Sequence, residues 1–306
     1  MISTALLTTG NLNDQVPSRS AANTTSTSIR RLTVVEKSGR YQDPVLIGEG
    51  GTAHIYQMLD KQLNRKVACK RFKKSGDRRE VRDYLAELGT VSRLMHRNVV
   101  HTFDAGEDPD GAYLIMELIP GSDTEEQVKQ HGVMTFSKFI HFADQCLDGL
   151  TAVHAAGLLH LDLKPSNIMI SEQIERPDLI KLVDFGRAEP TQDIEGELPK
   201  GRGLDGSIYY AAPEQLLSEE LDERADLYAL GCVFYWALTG KRPFDGKDTL
   251  EVVGAHLQNQ VDPLQLWRPE APDALCNWLA PFLARDPEMR YQSAQDALCA
   301  LLSLTS

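Results

Sequence analysis

Long apolar runs are missing from this 306-residue chain. The longest, Tyr228 to Leu238, falls far short of the roughly 20 residues that a membrane-spanning helix needs, and reads instead as a buried core helix. A basic surplus is missing too: Lys and Arg number 32 against 44 Asp and Glu, a formal net charge of −12. With nothing in bulk to neutralise phosphates, neither nucleic acid nor a membrane is expected as a partner. Cysteines are few, and Cys69, Cys146, Cys232, Cys276 and Cys299 show no CxxC spacing. Each lies in an apolar stretch, so buried reduced thiols are expected rather than a disulfide scaffold or a zinc site. The chain does not open with a positive stretch leading into an apolar one. No secretory leader is therefore expected, and the location expected is cytoplasmic, with export by a specialised secretion system as the other address.

What is present is ordinary globular composition, 42% hydrophobic and 25% charged, enough for one bilobal enzyme or two small domains. Residues 1–38 differ from the rest. They are rich in Ser, Thr and Asn, with NTTSTS at 23–28, and bury too little apolar surface to offset their ordering entropy, so a disordered tail is expected. Three readings stay open for it: a spacer, a cluster of hydroxyls that accept phosphate in cis, or the address for a specialised secretion system.

From Arg40 short β-type segments follow, PVLIGEG, HIYQMLD and RKVACKRF, with turn signals between them. From Asp77 to Leu94, apolar residues at Val81, Tyr84, Leu85, Leu88 and Val91 give one face at helical spacing. Further strands are expected at Val99–Ala105 and Tyr113–Leu118. After Pro120-Gly121 the pattern turns helical, over 135–156, 222–239, 247–258, 272–284 and 292–303. The expected architecture is α+β and bilobal: an antiparallel sheet with one main helix over 39–119, and a larger, mainly helical lobe over 120–306.

Several segments carry chemistry. Gly48-Glu49-Gly50-Gly51-Thr52-Ala53-His54-Ile55 lies between two expected strands, where glycines let backbone amides approach phosphate oxygens. Alone it is a weak signal. Fifteen residues after Ile55 stands Lys70, in Val67-Ala68-Cys69-Lys70. Glu87 falls on the helix expected next, on a face from which it could reach Lys70; a semi-buried lysine needs such a partner to stay charged. His160-Leu161-Asp162-Leu163-Lys164-Pro165-Ser166-Asn167 gathers an acid, a base and an amide, and 17 residues beyond Asn167 comes Asp184-Phe185-Gly186. The Asp-Phe-Gly tripeptide alone recurs by chance. The two at this spacing are highly specific.

With Ala212-Pro213-Glu214 added, the ordered set closely resembles the eukaryotic-like (Hanks-type) Ser/Thr protein kinases, most like soluble bacterial members, over about residues 40–303. The resemblance implies transfer of the γ-phosphate of ATP to protein hydroxyls, with Mg2+ as cofactor and Mn2+ as its alternative. Lys70 would hold the α and β phosphates, oriented by Glu87, and Asp184 and Asn167 would hold the metal ions. Asp162 would take the acceptor proton, and Lys164 would meet the γ-phosphate and favour Ser or Thr as acceptor. Adenine would stack among Ile55, Ala68 and Met169 and bond to the backbone of Glu117 and Ile119, behind Met116. Gly48, Glu49, Gly50, Gly51 and Ala53 would cover the phosphates. Ser207 would brace Asp162 and Lys164. Asp226 would tie down the catalytic loop, and Arg290 would pair with Glu214.

Three departures stand out. Ala53 replaces the third glycine of the loop, which leaves Gly48 and Gly50 to meet the phosphates. Leu161 stands where many members have an arginine that pairs with a phosphate on the activation segment. Between Arg187 and Gly206 the only hydroxyl residue is Thr191. A segment not switched by its own phosphorylation is therefore expected. Asp123 suits a basic residue upstream of the acceptor, whereas Ser166 stands where strongly arginine-directed members are often acidic. A mildly basic protein substrate is the resulting expectation, with self-phosphorylation in the tail beside it. The rival reading is an ATP-binding pseudokinase acting as a scaffold; against it stand Lys70, Asp162, Asn167 and Asp184, all four present. A small-molecule phosphotransferase would typically lack the glycine loop and the Ala-Pro-Glu segment.

Overall fold

The computed structural model describes residues 39–51, 53–73, 94–172, 178–185, 188–191 and 208–304. The tail at 1–38, all but the last residue of the helix expected at 77–94, and the segment at 192–207 lie outside them.

The first strands follow from a β-rich, turn-punctuated sequence. β1 (Tyr41–Glu49), β2 (Ala53–Asp60) and β3 (Arg65–Phe72) form a meander. β4 (Thr102–Asp108) and β5 (Gly111–Glu117) complete an antiparallel five-stranded sheet in the order β1-β2-β3-β5-β4. β3 is the middle strand, so Val67 to Arg71 are buried in succession instead of alternating. Tyr41, Met58, Val67, Cys69 and Ile115 make this sheet's own small core. Lys70 therefore enters the cleft from a rigid element.

Past the connector, β6 (Gly121–Asp123) leads into α1 (Thr124–His131), whose first turn is capped by the Asp123 carboxylate accepting the Glu126 N–H at 2.8 Å. α2 (Phe136–Ala155) starts at a Thr135 cap and buries Phe139, Phe142, Cys146, Leu150 and Val153 along one face. β7 (Leu158–Leu159), β8 (Ile168–Ser171), β9 (Leu179–Leu182) and β10 (Glu189–Pro190) are short; β6, β8 and β9 form one sheet, and β7 pairs with β10.

α3 (Pro213–Leu216) begins on a proline at N1. α4 (Glu223–Thr239) contains the apolar run Tyr228–Leu238 and is buried on nearly every side, as a helix apolar all round must be. Gly231 lies within it, where a Cβ would sit 2.4 Å from that of Phe282. The glycine costs helix propensity but lets the chain around Phe282 come close. α5 (Thr249–Gln258), α6 (Leu264–Trp267), α7 (Asp273–Leu279) and α8 (Ala294–Ser303) close the lobe. The expected helix at 272–284 ends early: Pro281 breaks the ladder and residues Ala280–Leu283 tighten to a 3-10 turn. The α+β fold with a sheet lobe and a helical lobe is thus borne out.

Among the described residues no helix is long and apolar enough to cross a membrane. All five cysteines are free, but only Cys69, Cys146 and Cys232 are buried; Cys276 is half-buried and Cys299 exposed on α8, a correction to the expectation that all are interior.

Candidate active site

The catalytic loop is built on an aspartate far from it in sequence. Asp226, fully buried on α4, accepts the backbone N–H of His160 at 2.7 Å and that of Leu161 at 2.8 Å, with His154 Nε2 3.0 Å away. Burial pushes its carboxyl up, but His154, His160 and these amides outweigh burial and hold it below the usual range. With two amides fixed, Leu161 can occupy the left-handed region at φ 57°, which a non-glycine residue rarely adopts. The Gln215 side chain on α3 donates to the Leu161 carbonyl at 3.0 Å, and the Leu161 side chain is buried.

Asp162 lies next in the chain, 8% exposed, and its Oδ2 accepts from Lys164 Nζ at 2.8 Å and from Asn167 Nδ2 at 2.9 Å. Asn167 Nδ2 also donates to the Asp162 carbonyl at 2.8 Å. Both amide hydrogens of Asn167 are thereby turned toward the loop, which leaves its amide oxygen as the group to offer the cleft. Asp184 follows β9 with φ 63°, the second left-handed non-glycine residue of the site. Its carboxylate pairs with Lys70 Nζ. Phe185 packs inward against His160, ring centroids 4.6 Å apart.

Between the lobes lies a cleft of about 230 Å³ lined by Ile47, Ile55, Ala68, Lys70, Met116, Glu117, Ile119, Asn167, Met169 and Asp184 among others. Its walls are mostly aliphatic and its far end carries the lysine, the amide and the carboxylate. The sheet's first hairpin covers this side: Gly48 and Glu49 end β1, Ala53 opens β2, and the Gly50 N–H donates to the Ala53 carbonyl at 2.9 Å. A Cβ on Gly51 would meet nothing within 4 Å.

Of the residues singled out in the sequence, Lys70, Asp162, Lys164, Asn167, Asp184, Ile55, Ala68, Met116, Glu117, Ile119 and Met169 lie around this cleft and the adjoining loop. Glu87, Ser207 and Gly186 lie outside the described residues, and the partner that the structure gives Lys70 is Asp184. Arg290 and Glu214 form a bidentate pair at 2.6 and 2.8 Å, and the remaining guanidinium donors reach the carbonyls of Ala284, Arg224 and Arg285. Ile47, Val100, Leu114 and Val183 also line the cleft, unsignalled in sequence because aliphatic residues on and beside strands look alike wherever they face.

A family model for the protein kinase domain matches residues 41–300. The chain belongs to the protein kinase domain family. Three relatives are a probable serine/threonine-protein kinase of Clostridium acetobutylicum, 33% identical over 263 residues, PrkC of Bacillus subtilis, 33% over 261, and PknA of Mycobacterium tuberculosis, 34% over 277. These alignments take in 85%, 85% and 87% of this chain but 39%, 39% and 62% of the respective relatives. The chain thus spans about two fifths of the length of the first two. Family membership accounts for why residues 41–300 carry the ordered motifs and the tail does not.

Proposed function

We propose that this protein kinase domain transfers the γ-phosphate of ATP to serine and threonine hydroxyls of proteins. The observation that carries the reading is that Lys70, Asn167 and Asp184 line an aliphatic cleft between two lobes, with Asp162 hydrogen-bonded to Asn167 and to Lys164 beside it. The aliphatic walls suit the flat faces of adenine, with the backbone of Glu117 and Ile119 at its polar edge. A carboxylate (Asp184) and an amide oxygen (Asn167) are hard donors suited to Mg2+, or Mn2+ in its place, which typically takes one or two carboxylates and completes its shell with phosphate oxygens. When bound, the metal would supply charge neutralisation along the phosphates.

The chain's own residues do the rest. Asp162 accepts the proton of the incoming hydroxyl while Asn167 and Lys164 fix its carboxylate. Lys164, its Nζ partly exposed beside Asp162, meets the negative charge that develops on the transferred group. Lys70, buried on β3, aims its ammonium at the phosphates; Glu87 is the partner assigned to it in the nucleotide-bound state, which frees Asp184 for metal. Gly48, Glu49, Gly50, Gly51 and Ala53 cover the phosphates with backbone amides. No step needs a covalent intermediate on the protein.

Leu161 offers no cation to a phosphorylated segment, so the activation segment works without a phosphate of its own. Asp123, at the start of α1, favours a basic residue upstream of the acceptor, which makes mildly basic proteins the preferred substrates. The hydroxyl cluster of the tail, residues 1–38, accepts phosphate in cis. Phosphosite mapping after incubation with Mg·ATP and a mixture of basic proteins tests these points together. Phosphate is expected on Ser and Thr of the tail and of the added proteins. Phosphotyrosine alone would overturn the acceptor assignment. A stoichiometric phosphate at Thr191 or Ser207 whose removal abolishes activity would overturn the phosphate-independent segment.

A further inference from the structure

We propose that Lys181 is a positioning residue for the nucleotide base: through an ion pair with Glu117 it fixes the connector that meets adenine and ties it to the strand that carries Asp184. The inference rests on the kinase reading above and deepens it.

Lys181 lies on β9, directly across from Met169 on β8. Paired residues of an antiparallel ladder point to the same side, and Met169 lines the nucleotide cleft. The Lys181 ammonium reaches Glu117 Oε1 at 2.6 Å and the Val99 carbonyl at 3.2 Å, with its side chain only 12% exposed. The same Oε1 accepts the backbone N–H of His101 at 2.8 Å, and the Glu117 N–H donates to the His101 carbonyl at 2.9 Å. Glu117 is thus held by both its backbone and its carboxylate at the point where β5 passes into the connector.

The stretch 98–101 is in turn stitched to β9. Leu182 donates to the Asn98 carbonyl at 2.8 Å, and Val100 donates to the Leu182 carbonyl at 2.9 Å. Two residues past Leu182 comes Asp184. One ammonium therefore joins three elements: the connector at the base end of the cleft, the 98–101 stretch, and the strand that leads to the metal end. A pair whose side chains are 12% and 25% exposed, held by three hydrogen bonds, keeps a fixed geometry because little bulk water competes for it. Loss of the Lys181 charge leaves Glu117 without its counter-ion and lets the backbone of Glu117 to Ile119 shift, and a shift well under the length of a hydrogen bond misaligns contacts to a flat base.

The test is equilibrium binding of fluorescent mant-ADP and mant-GDP to the full chain and to Lys181→Met, Lys181→Gln, Lys181→Arg and Glu117→Gln, with the melting temperature of each measured without nucleotide. The expected result is that Lys181→Met and Lys181→Gln weaken mant-ADP about tenfold and narrow its margin over mant-GDP, while Lys181→Arg restores both. The Lys181→Met, Glu117→Gln double variant is expected to be no weaker than the worse single one. In transfer assays the KM for ATP rises while kcat and the KM for protein change less than about threefold. Unchanged mant-ADP affinity in folded variants, or additive effects in the double variant, would overturn the proposal. So would loss of folding in both the Met and Gln variants, because the pair would then be a strut of the fold alone. If the wild type binds mant-ADP and the variants lose it but no phosphate is transferred, the positioning role stands and the catalytic reading falls. Absence of mant-ADP binding by the folded wild type would end both.

Discussion

Single residues carry the chemistry here only because others, distant in sequence, hold them. Asp162 sits on a loop whose two preceding amides are bound by Asp226, and whose Leu161 carbonyl is bound by Gln215. The Arg290–Glu214 pair likewise joins segments distant in sequence: both residues are buried, and every guanidinium donor has an acceptor. Removing one partner strands a buried charge, at a cost of about 3–5 kcal/mol. Arg290→Ala is accordingly expected to lower the denaturant midpoint sharply and Glu214→Gln to do nearly as much; a shift within error in urea titrations would contradict this. The motif residues were legible because phosphoryl transfer demands those side-chain types in that order. Lys181 and Gln215 were not. A lysine on a strand or a glutamine after a proline turn has no meaning until the chain returns to meet it.

Helices were easier to read than their ends and than the small sheet. The apolar spacing of 135–156 and 222–239 gave α2 and α4 nearly to the residue, because their caps, Thr135 and Asp222, are side chains that announce a start. In the β6–β8–β9 sheet, residues 168–170 and 180–183 read as strands from their apolar runs, whereas the three-residue β6 has no period to detect. Its register depends on Gly121, at φ 149°, where a Cβ would lie 2.0 Å from the Ile170 carbonyl oxygen. Gly121→Ala must break that pairing beside the connector, and is expected to lower both the melting temperature and the affinity for nucleotide. Unaltered thermal unfolding would refute the register. α5 makes a pH prediction. His256 on α5 lies against Tyr228 and Phe244, its Nδ1 2.8 Å from the Tyr228 hydroxyl, and burial pushes its pKa down from 6.5 to about 4. The unfolded chain therefore binds that proton more readily. Stability that is full above pH 6.5 is lost as pH falls toward 4, by about 3 kcal/mol if the whole shift is realised. Urea titrations from pH 7 to pH 4.5 should show that loss, and His256→Gln should flatten the curve; an unflattened curve would assign the loss to other groups.

At the scale of the molecule, the sheet lobe delivers Lys70 from its middle strand, and the helical lobe delivers Asp162 and Asn167 from a loop anchored on the largely buried α4, with Asp184 just past β9. The division was foreseeable from composition: β-type segments before Pro120, helical spacing after it. The tail lies apart from this machinery in sequence. Deletion of residues 1–38 is expected to remove most self-labelling and leave transfer to other proteins within about twofold; unchanged self-labelling would discard the tail as an acceptor. The central claim is tested most directly by following labelled γ-phosphate from Mg·ATP onto protein, with wild type and Asp162→Asn side by side. Loss of a positioned base typically costs about 10²–10⁴ in rate. Label on serine and threonine with the wild type, falling by at least that factor in Asp162→Asn while ADP still raises the melting temperature of both, is the result predicted. Equal labelling by the two proteins, or none by a wild type that binds ADP, would contradict it.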